Sequence, residues 1–483
     1  MKYHLLFIAC WIGGLSGLFA QSGYKVDLEV EGFTEAEAYL AYYFGDKQYI
    51  KDTTAVKDGK FTFAGEEALD GGIYLVVLPP DNQYFELVLD KDQHFSAQTK
   101  LGDFVPSMKI KGCRENEEFY RDIQFLGEQR TKATEWQQKK KEAAPGSPEL
   151  AAAEKAIADI DKTVQAHREA FQKRNPDLLY TKVLQSMQEP QLGQAPEGLS
   201  PEEAQQWQFF EYRKHYFDNI DLADDRLLRT PILYNKVNTF IEKLTYQMPD
   251  SLCQSVDYVV GQMESNPDVF QFFVVNLLNK YAKSKVMGMD AVYVCMVEKY
   301  YMSGKAFWSD SAQVAKMTER ALAISPTIVG RVAPNFRVQD SKDNWQHLHG
   351  LTGDYVILYF WDYDCGHCKK VTPKLAEAYQ AYKDKKVDFF ALSINGDVGV
   401  WKEKIAEYGM EDAINVQDHY RKSGFDAMYD VRSTPRIFIL DKDKKILAKQ
   451  ISVETLQEVL NRELGLAPPP SAEEEEEAES GKK

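Results

Sequence analysis

The sequence predicts a multidomain chain: an N-terminal antiparallel β-sandwich, a helical middle region and a C-terminal α/β domain. Three observations point there. At 483 residues the chain has room for about three domains of roughly 100 to 200 residues each. Its apolar residues alternate over the first hundred positions, then recur three and four apart, then gather into continuous runs bounded by turns. With 44% apolar and 27% charged residues, the composition is that of an ordinary globular protein. The net charge of −16, from 74 acidic and 58 basic side chains, repels phosphate backbones and argues against nucleic acid as a partner. Six cysteines are too few for a disulfide-scaffolded fold, so any sulfur chemistry has to come from particular spacings.

Residues 1–20 read as a secretory signal peptide: Lys2, a mostly apolar run, then small Ala20 before polar Gln21 and Ser22. The run is shorter than the roughly 20 apolar residues of a membrane span and contains glycines. From Tyr24 to Thr99 the pattern alternates, as in Val26, Leu28 and Val30, and in Tyr74, Val76 and Leu78. Turn signals at Asp58-Gly59 and Pro79-Pro80-Asp81-Asn82 cut it into about eight short strands, a sandwich over 21–110.

A helical hairpin is expected over 111–188. After Pro148, the residues Leu150, Ala153, Ile157, Ile160, Val164, His167 and Phe171 form one helical stripe, with Ser147 as N-cap and Pro148 in the first turn. His167 on that stripe reads as a packed histidine rather than a metal ligand. A Pro, Gly and Gln-rich linker from Glu189 leads to Ser200-Pro201-Glu202-Glu203, a capping box. It opens a helical domain over 189–327. The last 17 residues, from Ala467, hold six glutamates and three prolines, the composition of a disordered acidic tail over 467–483.

Chemistry is concentrated in 328–466. Tyr355 to Phe360 is a continuous apolar run, as in a strand buried on both faces. Directly after it, Trp361 to Lys370 contains Cys365-Gly366-His367-Cys368 at the head of an expected helix. A C-x-x-C in that place lets both sulfurs meet across one helical turn, and the helix N-terminus favours a thiolate at the first. Further buried strands are expected at 387–394 and 436–440, with Ser433-Thr434-Pro435 before the second, then a strand at 446–449 and a final helix over 453–464.

This order of elements resembles a thioredoxin fold. Together with Ala333-Pro334-Asn335-Phe336, Phe360-Trp361 and Thr434-Pro435, it resembles the TlpA/ResA-like thiol-disulfide oxidoreductases of the cell envelope. The stretch containing Asp58-Gly59-Lys60-Phe61 resembles a β-rich domain of unknown function that precedes such domains, and Ala291 to Tyr301 resembles a helical domain of the same architecture. The resemblance implies an exported enzyme exchanging disulfides with protein thiol or disulfide substrates. Cys365 would be the nucleophile and Cys368 the resolving cysteine. His367 would bring a charge near the sulfur and shift the couple toward an oxidant or isomerase. Thr434, a cis Pro435 and Trp361 would lie on the substrate side. No cofactor is implied beyond the Cys365–Cys368 redox disulfide, no metal is expected, and the implied electron donor is a membrane-embedded thiol protein.

Two positions depart from the family. Tyr359 stands where a buried acid is usual, and Val371 where a glutamate is frequent, which leaves Asp362 and Asp364 as candidate proton acceptors for Cys368. Rival functions are a binding or scaffold protein with an accessory redox domain, and a thiol peroxidase, the latter lacking a placed threonine and arginine. Cys113, Cys253 and Cys295 read as buried apolar residues, with a Cys253–Cys295 disulfide as the alternative for an oxidising compartment.

Overall fold

The computed structural model describes residues 23–468. The expected signal peptide, and all but the first two residues of the expected tail, lie outside them. The described residues divide into two compact units, one of 23–244 with 262–269 and one of 245–261 with 270–468. The division falls inside the expected helical segment 189–327, because residues 245–261 join the second unit and 262–269 return to the first.

The first unit begins with eight strands: β1 (Tyr24–Glu31), β2 (Glu37–Phe44), β3 (Lys47–Ala55), β4 (Lys60–Gly65), β5 (Gly72–Leu78), β6 (Gln83–Leu89), β7 (His94–Lys100) and β8 (Lys109–Lys111). They form two four-stranded sheets ordered β4-β1-β7-β8 and β3-β2-β5-β6. The pairing of β1 with β7 is parallel, a departure from the all-antiparallel expectation, since alternation marks which face is buried and not which way a neighbour runs. At Asp58-Gly59 both residues have positive φ, 54° and 72°, and a Cβ on Gly59 would stand 2.5 Å from the Val30 carbonyl oxygen. Only glycine fits there.

Two long helices follow, Arg114–Glu142 and Pro148–Arg174. Ser147 caps the second through the Leu150 N–H, with Pro148 in the first turn. Of the predicted stripe only Ala153 and Phe171 are fully buried. His167 is packed: its Nε2 lies 2.7 Å from Asp122 Oδ1 and its ring stacks on Phe125. Ser200 and Glu203 form the capping box of Pro201–His215.

In the second unit, the helices Pro249–Gly261 and Asp290–Met296 bring Cys253 and Cys295 to a Cα separation of 6.4 Å, and the two are bonded as a disulfide. This corrects the reading of them as simple apolar residues: facing helices supply a separation within disulfide range. Cys113 does remain a free, buried thiol.

The C-terminal strands are β9 (Arg337–Asp340), β10 (Trp345–His347), β11 (Tyr355–Trp361), β12 (Val387–Ser393), β13 (Ile414–Gln417), β14 (Arg436–Asp441) and β15 (Ile446–Lys449). They make one mixed sheet ordered β10-β9-β13-β12-β11-β14-β15, with β11 parallel to β12 and antiparallel to β14. Alternate residues of β11 feed two cores. Ile357, Tyr359 and Trp361 enter one with Cys368 and Leu375, and Val356, Leu358 and Phe360 enter the other with Phe336, Phe390 and Phe438. Both faces are therefore covered, as the unbroken apolar run requires. Within the same unit Lys449 pairs with Asp290 and Arg320 with Asp430. No helix among the described residues is long and apolar enough to cross a membrane.

Candidate active site

β11 ends at Trp361, and the chain turns through residues 362–365 into the helix Gly366–Tyr379, for which Cys365 is the N-cap residue. Cys365 is partly exposed and Cys368, one turn on, is wholly buried; both are free thiols. The Cys365 thiol faces the Thr434 carbonyl at 3.4 Å, and the peptide between Thr434 and Pro435 is cis. A Cβ placed on Gly366 would meet no residue beyond its neighbours within 4 Å.

The two sulfurs have opposite acidities. The Cys368 backbone N–H lowers the Cys365 pKa, burial opposes it, and Thr434 and the His367 N–H add to the lowering. Burial pushes Cys368 up to about 11, against a hydrogen bond from the Asp362 N–H at 3.4 Å. Thiolate character therefore belongs to the accessible sulfur, and a charge there further disfavours one on Cys368.

The loop between strand and helix is pinned by one residue, Asn395, just beyond β12. Its Nδ2 donates to Asp362 Oδ1 at 3.3 Å and to Asp364 Oδ2 at 3.1 Å, and its Oδ1 accepts from the Tyr363 hydroxyl at 2.7 Å. Asp362 Oδ1 also accepts from the Asp364 N–H. Around the segment leading into β14, Arg436 Nε donates to the Ser433 carbonyl at 3.1 Å, and Asp430 pairs with Arg320 and Arg432.

The expected site residues fare differently. Cys365, Cys368, Thr434 and Pro435 come together. His367 is exposed, and what it contributes to the Cys365 sulfur is its backbone N–H. Trp361 is a correction: it is completely buried, its ring edge-on to Tyr408 at 6.1 Å, and it touches no substrate surface. As the last residue of a strand covered on both faces, it points into the core under the helix. Val371 packs against the same core. Asn395 went unrecognised, because a lone polar residue after a buried strand carries no spacing signal.

Residues 353–446 match the family described as thioredoxin-like, residues 160–323 a domain of unknown function (DUF5106), and residues 24–119 another (DUF4369). Over 132 residues the chain is 32% identical to the thiol-disulfide oxidoreductase ResA of Bacillus thuringiensis, an alignment covering 27% of this chain and 74% of that one. The chain belongs to the ResA-like thiol-disulfide oxidoreductases. The ResA protein of Geobacillus kaustophilus is 31% identical over 129 residues, 26% of this chain and 71% of that one. A crystallised domain of a possible thiol-disulfide isomerase from Cytophaga hutchinsonii is 32% identical and covers 29% of this chain and 95% of that domain, with a TM-score of 0.28. The thioredoxin-like match lies in the C-terminal domain, and the two matches of unknown function lie in the β-rich and helical regions N-terminal to it.

Proposed function

We propose that this chain is an exported oxidoreductase that exchanges disulfides with protein substrates through Cys365 and Cys368. The observation that carries the reading is the division of labour between the sulfurs: an accessible one with lowered pKa at a helix N-terminus, and a buried one with raised pKa a single turn away. Cys365 attacks a substrate disulfide, a mixed disulfide forms, and Cys368 displaces the substrate to leave a Cys365–Cys368 disulfide. The backbone of Thr434, whose carbonyl already faces Cys365, pairs with an extended substrate segment. A membrane-embedded thiol protein returns the pair to the dithiol. Export is supported by the leader pattern of residues 1–20 and by a Cys253–Cys295 disulfide remote in sequence from the motif, since such bonds persist in oxidising compartments.

The test is trapping. Cys368→Ser should accumulate covalent adducts with envelope proteins that dithiothreitol releases, whereas Cys365→Ser should accumulate none. Adducts on the Cys365→Ser protein alone would reverse the two roles, and adducts on neither would remove the reading.

A further inference from the structure

Cys368 must give up a proton to resolve the mixed disulfide, yet neither position where the family keeps an acid holds one. Position 359 instead presents a hydroxyl. Tyr359 is completely buried in β11, in the core that also contains Cys368. Its Oη lies 2.8 Å from Thr372 Oγ1, and the Cys368 thiol in the same core is near enough to bear on its ionisation. Thr372 is four residues after Cys368 in the same helix, so both groups share the helix face that β11 covers. Asp362 and Asp364 each give a carboxylate oxygen to Asn395, and the hydrogen bond Asp362 makes to the Cys368 sulfur is through its backbone N–H.

A phenol and an alcohol each offer one proton and two lone pairs. While Cys368 is a thiol, its S–H can point at the tyrosine oxygen. Once it ionises, the tyrosine O–H can turn to the sulfur while the Thr372 O–H donates to the tyrosine oxygen. We propose that Tyr359, backed by Thr372, is the hydrogen-bond donor that stabilises the Cys368 sulfur as it becomes a thiolate in the resolving step. This rests on the thiol-exchange reading above and adds a residue to it. Burial drives the Tyr359 phenol well above the ordinary tyrosine range, so it keeps its own proton and acts as donor rather than base.

The step balances within the mixed disulfide. Cys368 attacks the Cys365 sulfur, the bond from Cys365 to the substrate sulfur breaks, and its electron pair leaves on the substrate sulfur. That sulfur takes up the proton Cys368 loses, so the substrate departs as a thiol and the enzyme pair is oxidised. Titratable groups that bear on Cys368 include Tyr359 from β11, Cys365 at the head of the helix, and Tyr408 after the helix Val398–Glu407. The neutral Thr434 comes from the loop before β14.

The reduced full chain, mixed with Ellman's disulfide in a stopped-flow instrument, should release nitrothiobenzoate in two equal phases. Attack by Cys365 gives the first and resolution by Cys368 the second. Hydrogen bonds to charged groups are the strong ones, so Tyr359→Phe should slow the second phase roughly 10- to 100-fold. The pH of its half-maximal rate should rise by about one unit or more, while the first phase serves as the internal standard. Thr372→Val should slow the second phase less, and Thr372→Ser should restore it. A second phase unchanged in rate and pH profile in Tyr359→Phe overturns the proposal. If that variant does not fold, equal second phases in Thr372→Val and Thr372→Ser overturn it. Absence of any first phase in the wild-type protein would instead sink the thiol-exchange reading itself.

Discussion

The opposite acidities of the two sulfurs set how fast each is alkylated, and the difference can be calculated. Burial puts Cys368 at about 11, so at pH 7 its thiolate fraction is ~10⁻⁴. Cys365 lies below the ordinary thiol value of 9.0, so its fraction exceeds ~10⁻². Thiolate population alone therefore favours Cys365 by at least about 100-fold. The more basic thiolate is the better nucleophile, and a Brønsted slope of ~0.45 over two units returns about 8-fold to Cys368. Iodoacetamide should label Cys365 at least about 12-fold faster at pH 7, and the complete burial of Cys368 widens the gap. Mass spectrometry of tryptic peptides from a timed quench reads both rates. Labelling of Cys365 should level off below pH 9, while that of Cys368 should still climb tenfold per unit there. Equal rates at pH 7, or a Cys368 profile that levels off first, would refute the reasoning.

Other outcomes follow from the same geometry. His367→Ala keeps the backbone N–H near Cys365 and should leave its titration nearly unchanged, whereas His367→Pro deletes that N–H and should raise the pKa; thiolate absorbance against pH separates the two. Trp361→Ala should cost about 3 to 5 kcal/mol of stability through the cavity it leaves, measured by denaturant unfolding. Cys253→Ser breaks a link across 42 residues and should cost ~4 kcal/mol on the loop-entropy scale, visible as a lower midpoint that reductant no longer shifts. For Asp430, burial raises the pKa but the hydrogen bonds from Arg320 and Arg432 outweigh it, so the folded value is depressed. Its stabilising contribution is present above the unfolded value near 3.8 and lost as pH falls through the folded one. Arg320→Met should therefore cost about 1 kcal/mol at pH 6 and progressively less as pH falls through the folded value, followed by thermal unfolding across a pH series.

Much of this was legible because it is written locally. A C-x-x-C between a buried strand and a helix, Ser147 before Pro148, and Ser200 three before Glu203 each act within one turn of chain. The features that escaped depend on what lies across a gap. Which core Trp361 enters is decided by the pleat of β11 and the helix above it, and β9, β10 and β13 are too short to show a period. The parallel neighbour of β1 arrives from about seventy residues away. Tyr359 was conspicuous as a missing acid, but its hydroxyl gains meaning only once Thr372 and Cys368 stand on the opposing helix face.

Asn395 commits its whole amide to three consecutive residues of the loop that carries Cys365. Under the proposed exchange, this hold on Asp362, Tyr363 and Asp364 bears on the effective molarity of the Cys365 sulfur toward Cys368. That quantity enters the ring-closure equilibrium directly, and each tenfold in it moves a two-electron thiol couple by about 30 mV. On the proposed exchange, an asparagine bonded to the loop rather than to sulfur would thus tune redox poise. Asn395→Ala, by loosening the loop, should make the pair a stronger oxidant without altering either cysteine.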